Sequence, residues 1–188
     1  MCSESPCDIS VVIVSWNVRE LLAQCLDSFA VVGMLAADAE QQQRTLCGRS
    51  VEFWVVDNAS TDGTVAMLAE RYPWVHAIAS SQNLGFSAGN NVALRVCRGR
   101  YVLLLNPDTV LTRAPNEPDA LSLLADLLDE EPDAALVGPR LTYGDGSPQS
   151  SRRRFPTLLM GIMESTVLER WFPHNRWARR YRMEDTPA

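Results

Sequence analysis

The sequence predicts an α/β fold: a doubly wound, mostly parallel sheet with helices on both faces. Three observations predict it. Short aliphatic runs recur along the chain, each closes on a cluster of small polar residues, and stretches of helical period separate them. With 188 residues, 46% of them hydrophobic, the chain can build one sizeable core but not two comfortable ones.

The first run, ISVVIVS at residues 9–15, lacks the alternation of a half-exposed strand, as expected of a parallel strand covered on both faces. From Arg19 the period changes, and Leu21, Leu22, Cys25, Leu26, Phe29 and Val32 fall on one helical face. The Gln-rich stretch at residues 39–50 is expected to be a loop or frayed helix end. Residues 51–56 (VEFWVV) form a second strand that ends at Asp57-Asn58. Ser60, Thr61 and Asp62 can cap a helix reaching about Tyr72, with Val65, Met67 and Leu68 as apolar positions and Pro73 as its stop. Residues 75–79 are a third, weaker strand, and helix is expected from about Ser87 to Arg98, ended by Gly99. Residues 101–105 (YVLLL) are the fourth strand and the most apolar.

Beyond Thr109 the pattern loosens. Pro115, Asn116 and Pro118 precede an amphipathic helix through Leu121, Leu124, Leu127 and Leu128, closed by Pro132. Residues 134–137 are expected to add a further strand, residues 143–146 (YGDG) a turn, and residues 157–169 a helix. The expected division is a core over residues 1–150 and a basic, aromatic region over 151–188.

That division follows the charge. Residues 1–150 carry nine Arg against nineteen acids, and residues 151–188 carry eight Arg against four, within an overall charge of −6. An acidic core argues against nonspecific nucleic-acid binding. The C-terminal stretch, with Trp171, Phe172, Trp177 and five Arg from Arg170 to Arg182, suits peripheral contact with an anionic membrane, or packing against the rest of the domain. Five cysteines (Cys2, Cys7, Cys25, Cys47 and Cys97) form no CxxC pair, as expected of a reduced, cytoplasmic protein. The start MCSESPCD shows no signal peptide, and no run reaches the ~18 apolar residues of a membrane span.

In open α/β sheets, ligands sit beyond the carboxyl ends of the strands. The unusual polar residues fall there: Ser15-Trp16-Asn17, Asp57-Asn58, the Asn83 segment and Asn106-Pro107-Asp108. Each can also be a local turn or cap, because short polar side chains bond nearby backbone readily. His76 and His174 are expected to be structural or solvent-facing. Asn83 to Asn91 (NLGFSAGNN) is a Gly-punctuated entry to a helix whose N–H groups can approach phosphate. It is not the GxGxxG fingerprint, and a chain without a single Lys cannot carry a Walker loop.

Taken in order and spacing, IVSWNVRELLAQCLDSF, VVDNASTDGT, NLGFSAGNN and YVLLLNPDT closely resemble the family 2 glycosyltransferases, in particular the rhamnosyltransferase-like branch that builds bacterial surface polysaccharides. The resemblance covers about residues 9–157. It implies a GT-A type nucleotide-diphospho-sugar transferase fold, incomplete at its C-terminus, and a dTDP- or UDP-linked sugar as donor. It implies a glycan or lipid-linked acceptor and a divalent cation (Mg²⁺ or Mn²⁺); the basic C-terminal stretch adds the expectation of a cytoplasmic protein that can associate with the inner face of the membrane. By that resemblance Asp57 contacts the nucleotide base region, and Ser15 and Asn17 line the same pocket with Asn58. Asn83 and Gly85, with Asn90, lie beside the nucleotide and diphosphate. Asp108 is the last acid of a DxD-like motif and the metal ligand, with Asn106 in place of the first acid. Similar proteins continue into a second half that supplies the general base, so no catalytic base is assigned. The expected activity is metal-assisted inverting transfer; the alternative is a non-catalytic donor-binding or partner-docking domain.

Overall fold

The computed structural model describes residues 7–35, 44–46, 48–113, 118–149, 151, 153–155, 157–158, 176–181 and 183. The chain forms two compact units, Met1–Val137 and Gly138–Ala188.

In the first unit, β1 (Ile9–Ser15) runs parallel to β4 (Arg49–Asp57) on one side and to β6 (Tyr101–Leu105) on the other. β5 (His76–Ala79) adds a further parallel strand beside the second half of β4. Ile9 faces Val51 and Tyr101, and Ser15 faces Asp57, so the strands end together on one rim. β1 is buried along both faces, which accounts for its unbroken β-branched run.

The helices lie between strands, as the alternation predicts: α1 (Arg19–Val31), α2 (Thr64–Arg71), α3 (Gly85–Leu94) and α4 (Ala120–Glu130). One face of the sheet, through Val11, Ile13, Phe53 and Val55, packs on Leu22, Leu26 and Phe29 of α1, Leu68 of α2 and Leu121 and Ala125 of α4. Phe29, Phe53 and Trp74 meet edge to face at ring separations of 4.7 and 4.8 Å within it. The other face is thinner, with Val12, Val56 and Ala93 of α3 fully covered. There α3 approaches closely because Gly89 has no side chain; a Cβ would stand 2.9 Å from Val14 Cγ1.

Three expectations are corrected. Of the stretch at residues 39–50, residues 44–46 and 49–50 are strand rather than loop or frayed helix, while 39–43 lie outside the described residues: β2 (Met34–Leu35) and β3 (Arg44–Leu46) form an antiparallel arm against β4. Leu46 is buried there, and Arg44 lies over the Trp74 ring. α3 starts and ends earlier than its periodicity suggests. Asn83 Oδ1 accepts the Gly85 amide at its start, and beyond its end the Arg98 amide is drawn to Glu52 Oε1. Finally, residues 134–137 form no strand. They have no partner strand among the described residues, and Leu136 is 92% exposed.

In the second unit, β7 (Leu141–Thr142) and β8 (Pro148–Gln149) form a hairpin around the expected YGDG turn, where Asp145 accepts the Ser147 amide and hydroxyl. α5 (Arg176–Tyr181) is short, and its Tyr181 carbonyl accepts the Arg154 amide. The helix expected at 157–169 lies almost wholly outside the described residues. Among the described residues no helix is long and apolar enough to cross a membrane.

Candidate functional site

The register places Ser15 and Asp57 side by side at the rim, and both are buried. Asn58, also buried, donates its amide to the Ser15 carbonyl (2.8 Å) and its side-chain Nδ2 to the Gly85 carbonyl (3.2 Å). One oxygen of Asp57 accepts the Ser60 amide at 3.0 Å. The remaining polar atoms are the notable ones: Ser15 Oγ, Asp57 Oδ1 and Asn58 Oδ1 are buried with no hydrogen-bond partner among the described residues. Native proteins pair nearly all such groups, so three orphans on adjoining residues mark where a ligand's polar atoms belong.

Asn17 has a different task. Its Oδ1 accepts the Thr61 amide (2.8 Å), and its own amide donates to Ser60 Oγ (2.9 Å). Asn17 and Ala59 both adopt left-handed backbone, with φ of 53° and 61°. Such conformations at non-glycine residues persist only where the surroundings enforce them, and here two loops enforce each other. Arg19 continues the seam, donating from its backbone to Asp62 Oδ2 and from Nη1 to the Asp62 carbonyl. Burial pushes the Asp62 carboxyl up, but hydrogen bonds from the Thr64 hydroxyl and the Arg19 and Thr64 amides outweigh it and hold it below its ordinary value.

Asn83 closes a turn onto the Gly85 amide, with Gly85 at φ 75° as the turn requires. Asn90 is buried and donates to the Phe86 carbonyl, which ties it to its own helix. On the far side of β1, Asn106 and Asp108 follow β6 in an exposed bend held by the Thr109 amide on the Asn106 carbonyl. Strand spacing puts the ends of β4 and β6 about 10 Å apart. Below Asp108 sits Cys25, whose thiol is pushed up to about 12 by burial first and by the Asp108 charge second. The Cys25 thiol is directed at the Asn106 carbonyl, and the bend itself carries the oxygen donors of Asn106 and Asp108, the ligand type that suits a hard divalent cation. Among the described residues no group of three or more His, Cys, Asp or Glu gathers to hold a metal, so Asp108 stands as a single acid.

The structure thus brings Ser15, Asp57, Asn58 and Gly85 together, makes Asn17 a loop tie, and sets Asn106 and Asp108 one strand away. Sequence reasoning missed Trp16 and Phe86. Both are 56% exposed and sit next to Ser15 and Gly85 in the chain, offering flat apolar faces to a ring. For Trp16 the available signal was an aromatic residue placed directly after a buried strand, and for Phe86 an aromatic residue inside the Gly-punctuated entry to α3. His76 lies against Trp54 at 4.2 Å, nearly parallel, and burial depresses its pKa, in keeping with a structural role.

Residues 10–186 match Glycosyl transferase family 2. The N-acetylglucosaminyl-diphospho-decaprenol L-rhamnosyltransferase of Mycobacterium tuberculosis (strain ATCC 25618 / H37Rv) is 32% identical over 147 residues, covering 72% of this chain and 46% of that protein. Chondroitin synthase of Escherichia coli is 32% identical over 121 residues, or 63% of this chain and 15% of its own length. Among solved structures, S. aureus TarS 1-349 aligns with 66% of this chain and 33% of its own, at 23% identity and a TM-score of 0.50, a likeness of fold. The chain spans less than half the length of these relatives. Its mostly parallel sheet flanked by helices is consistent with the GT-A fold, and the chain belongs to glycosyl transferase family 2.

Proposed function

We propose that the first unit binds a nucleotide-diphosphate sugar and serves an inverting glycosyltransferase, with a rhamnosyl donor the best candidate from the mycobacterial relative's name. The observation that carries this reading is the set of orphaned buried oxygens on Ser15, Asp57 and Asn58. Asp57 Oδ1 is an acceptor suited to the N–H edge of a pyrimidine base, as dTDP and UDP both present. Trp16 supplies a face on which that base can stack. The loop seam through Asn17, Ser60 and Thr61 keeps the Asp57 carboxylate aimed.

Asp108 would hold a divalent cation, Mg²⁺ or Mn²⁺, whose chemistry is to offset charge on the departing diphosphate. Asn106 adds a neutral amide that can orient a water or a sugar hydroxyl without a second repelling acid. The acceptor hydroxyl, from a glycan or lipid-linked sugar, attacks the anomeric carbon opposite the leaving group, and its proton needs a base. Work at the cytoplasmic face of a membrane, with the arginines of the C-terminal region near anionic lipid, belongs to the same proposal.

Calorimetric titration with dTDP-rhamnose and UDP-sugars, with and without Mn²⁺, tests it. Binding should strengthen with Mn²⁺, and Asp108→Ala should remove the metal-dependent part while leaving metal-free binding. Failure of every donor would sink the reading; metal dependence surviving in Asp108→Ala would sink only the cation assignment.

One observation favours a second reading, a donor-binding domain without turnover of its own. Asp62 is taken up by the loop seam and Asp57 by the Ser60 amide; with Asp57 and Asp108 assigned to the donor as proposed, no further rim carboxylate among the described residues remains to deprotonate an acceptor. Transfer by the purified 188-residue chain at ordinary enzyme rates, about 1 s⁻¹ or more, would eliminate it.

A further inference from the structure

Residues 106–113, which carry Asp108 away from β6, are irregular and run alongside α1. Three contacts tie them there. The Cys25 thiol points to the Asn106 carbonyl at 3.9 Å, the Leu111 amide donates to Ser28 Oγ at 3.0 Å, and Arg113 Nη1 donates to the Val32 carbonyl at 3.4 Å. Cys25, Ser28 and Val32 stand three and four residues apart, which sets them in a row along one face of the helix and its cap. Their partners follow in the same order. Asp108 falls between the first two, two residues after Asn106 and three before Leu111.

The middle tether is the firm one. Ser28 is buried, and its hydroxyl proton goes to the Cys25 carbonyl at 2.6 Å, which turns the oxygen's lone pairs toward the Leu111 amide. Leu111 is itself buried outside any helix or strand, where a backbone N–H has to find such a partner. Its side chain joins the core with Leu22, Leu26 and Phe29 of α1, so Leu111 is fixed at backbone and side chain alike. A thiol is the weaker donor, and the Cys25 tether is correspondingly the looser one.

We propose that Ser28 is a positioning residue for the cation site: through the Leu111 amide it fixes the bend so that the Asp108 carboxylate is in place before the diphosphate arrives. The inference rests on the cation assignment at Asp108 and adds the element that enforces it. Ser28 touches neither donor nor cation and acts through the backbone, in the way that groups behind a ligand orient it. The same helix begins at Arg19, which is tied to the Asp62 loop, so α1 mounts both the seam behind Asp57 and the bend behind Asp108.

Calorimetric titration of UDP and of dTDP into the full chain, with and without Mn²⁺, tests it on the parent, Ser28→Ala, Asp108→Ala and the double variant. Alanine is a better helix former than serine, and thermal melts check that each variant folds. Ser28→Ala should leave metal-free binding at the parent's value and weaken the Mn²⁺-dependent part about tenfold. In the Asp108→Ala background it should change nothing further, because its effect passes through that acid. Hydrogen exchange gives a second reading: the Leu111 amide should be slow in the parent with or without nucleotide, and fast in Ser28→Ala while the β6 amides bonded to β1 keep their rates. A parent whose nucleotide binding ignores Mn²⁺ overturns the cation assignment and this inference together; a parent that responds, with Ser28→Ala responding equally, overturns this inference alone. So would equal weakening of metal-free and metal-dependent binding, or an undiminished Ser28→Ala effect in the Asp108→Ala background. A fast Leu111 amide in the parent would overturn it without any variant.

Discussion

Strand β4 carries a buried carboxylate near each end, and the two are treated in opposite ways. At the amino end Glu52 Oε1 accepts the Ser10 hydroxyl at 2.5 Å and the Arg98 amide at 2.6 Å, and the same Ser10 oxygen accepts the Gly99 amide. Gly99 has to be glycine there, because a Cβ would come within 2.4 Å of the Ser10 amide nitrogen. At the carboxyl end Asp57 gives one oxygen to the Ser60 amide and leaves the other unmatched, beside two further orphans. Burial is alike, at 5% and 2% exposed, so burial does not separate the roles. What separates them is whether the fold satisfies the acid by itself or leaves part of it for a ligand.

The comparison breaks most visibly at Glu52. Glu52→Ala strips acceptors from a buried hydroxyl and a buried amide and should cost about 3 kcal/mol in denaturant unfolding, while the folded fraction binds donor normally. Asp57→Asn keeps an acceptor for Ser60 but places a donor where an acceptor was open. It should leave the melting temperature nearly unchanged and weaken donor binding by at least about tenfold, measured by calorimetry. A matching loss of stability in both variants would erase the distinction. Asn17→Ala unties the Ser60–Thr61 loop and should cost about 1 kcal/mol of stability, with a smaller loss of donor affinity than Asp57→Asn. The finest effect is on pH. Because the folded-state pKa of Asp62 is lowered, its contribution is present above the ordinary 3.8 and is lost as pH falls through the lower folded value. Melts between neutral and strongly acid pH should therefore show a gentler acid limb in Asp62→Asn than in the parent.

Much of this was legible in the residues. The β-branched run of β1 and the short polar clusters after each strand place Asp57 and Asp108 on one rim, because a parallel sheet ends its strands together. The open state of Asp57 was not legible, since the same Asp-Asn-Ala-Ser could have closed all its bonds locally, as Asp145 and Ser147 do. The resemblance places Asn17 in the donor pocket; what the sequence did not show is that its carboxamide oxygen also holds a loop 44 residues away. Glu52 attracted no notice within an apolar strand, because its partners Ser10 and Arg98 are distant in sequence. Residues 134–137 read as a strand from composition, but a strand needs a neighbour, and composition carries no information about whether one is there.

Local chemistry dictates the element types and their order: side-chain shape sets where strand gives way to helix, and small polar residues set where each strand stops. Tertiary structure alone decides which polar atoms remain unpaired. A hydrogen-bond partner can come from any part of the chain, and only the assembled register of β1, β4 and β6 shows that Glu52 found its partners at home while Ser15, Asp57 and Asn58 did not.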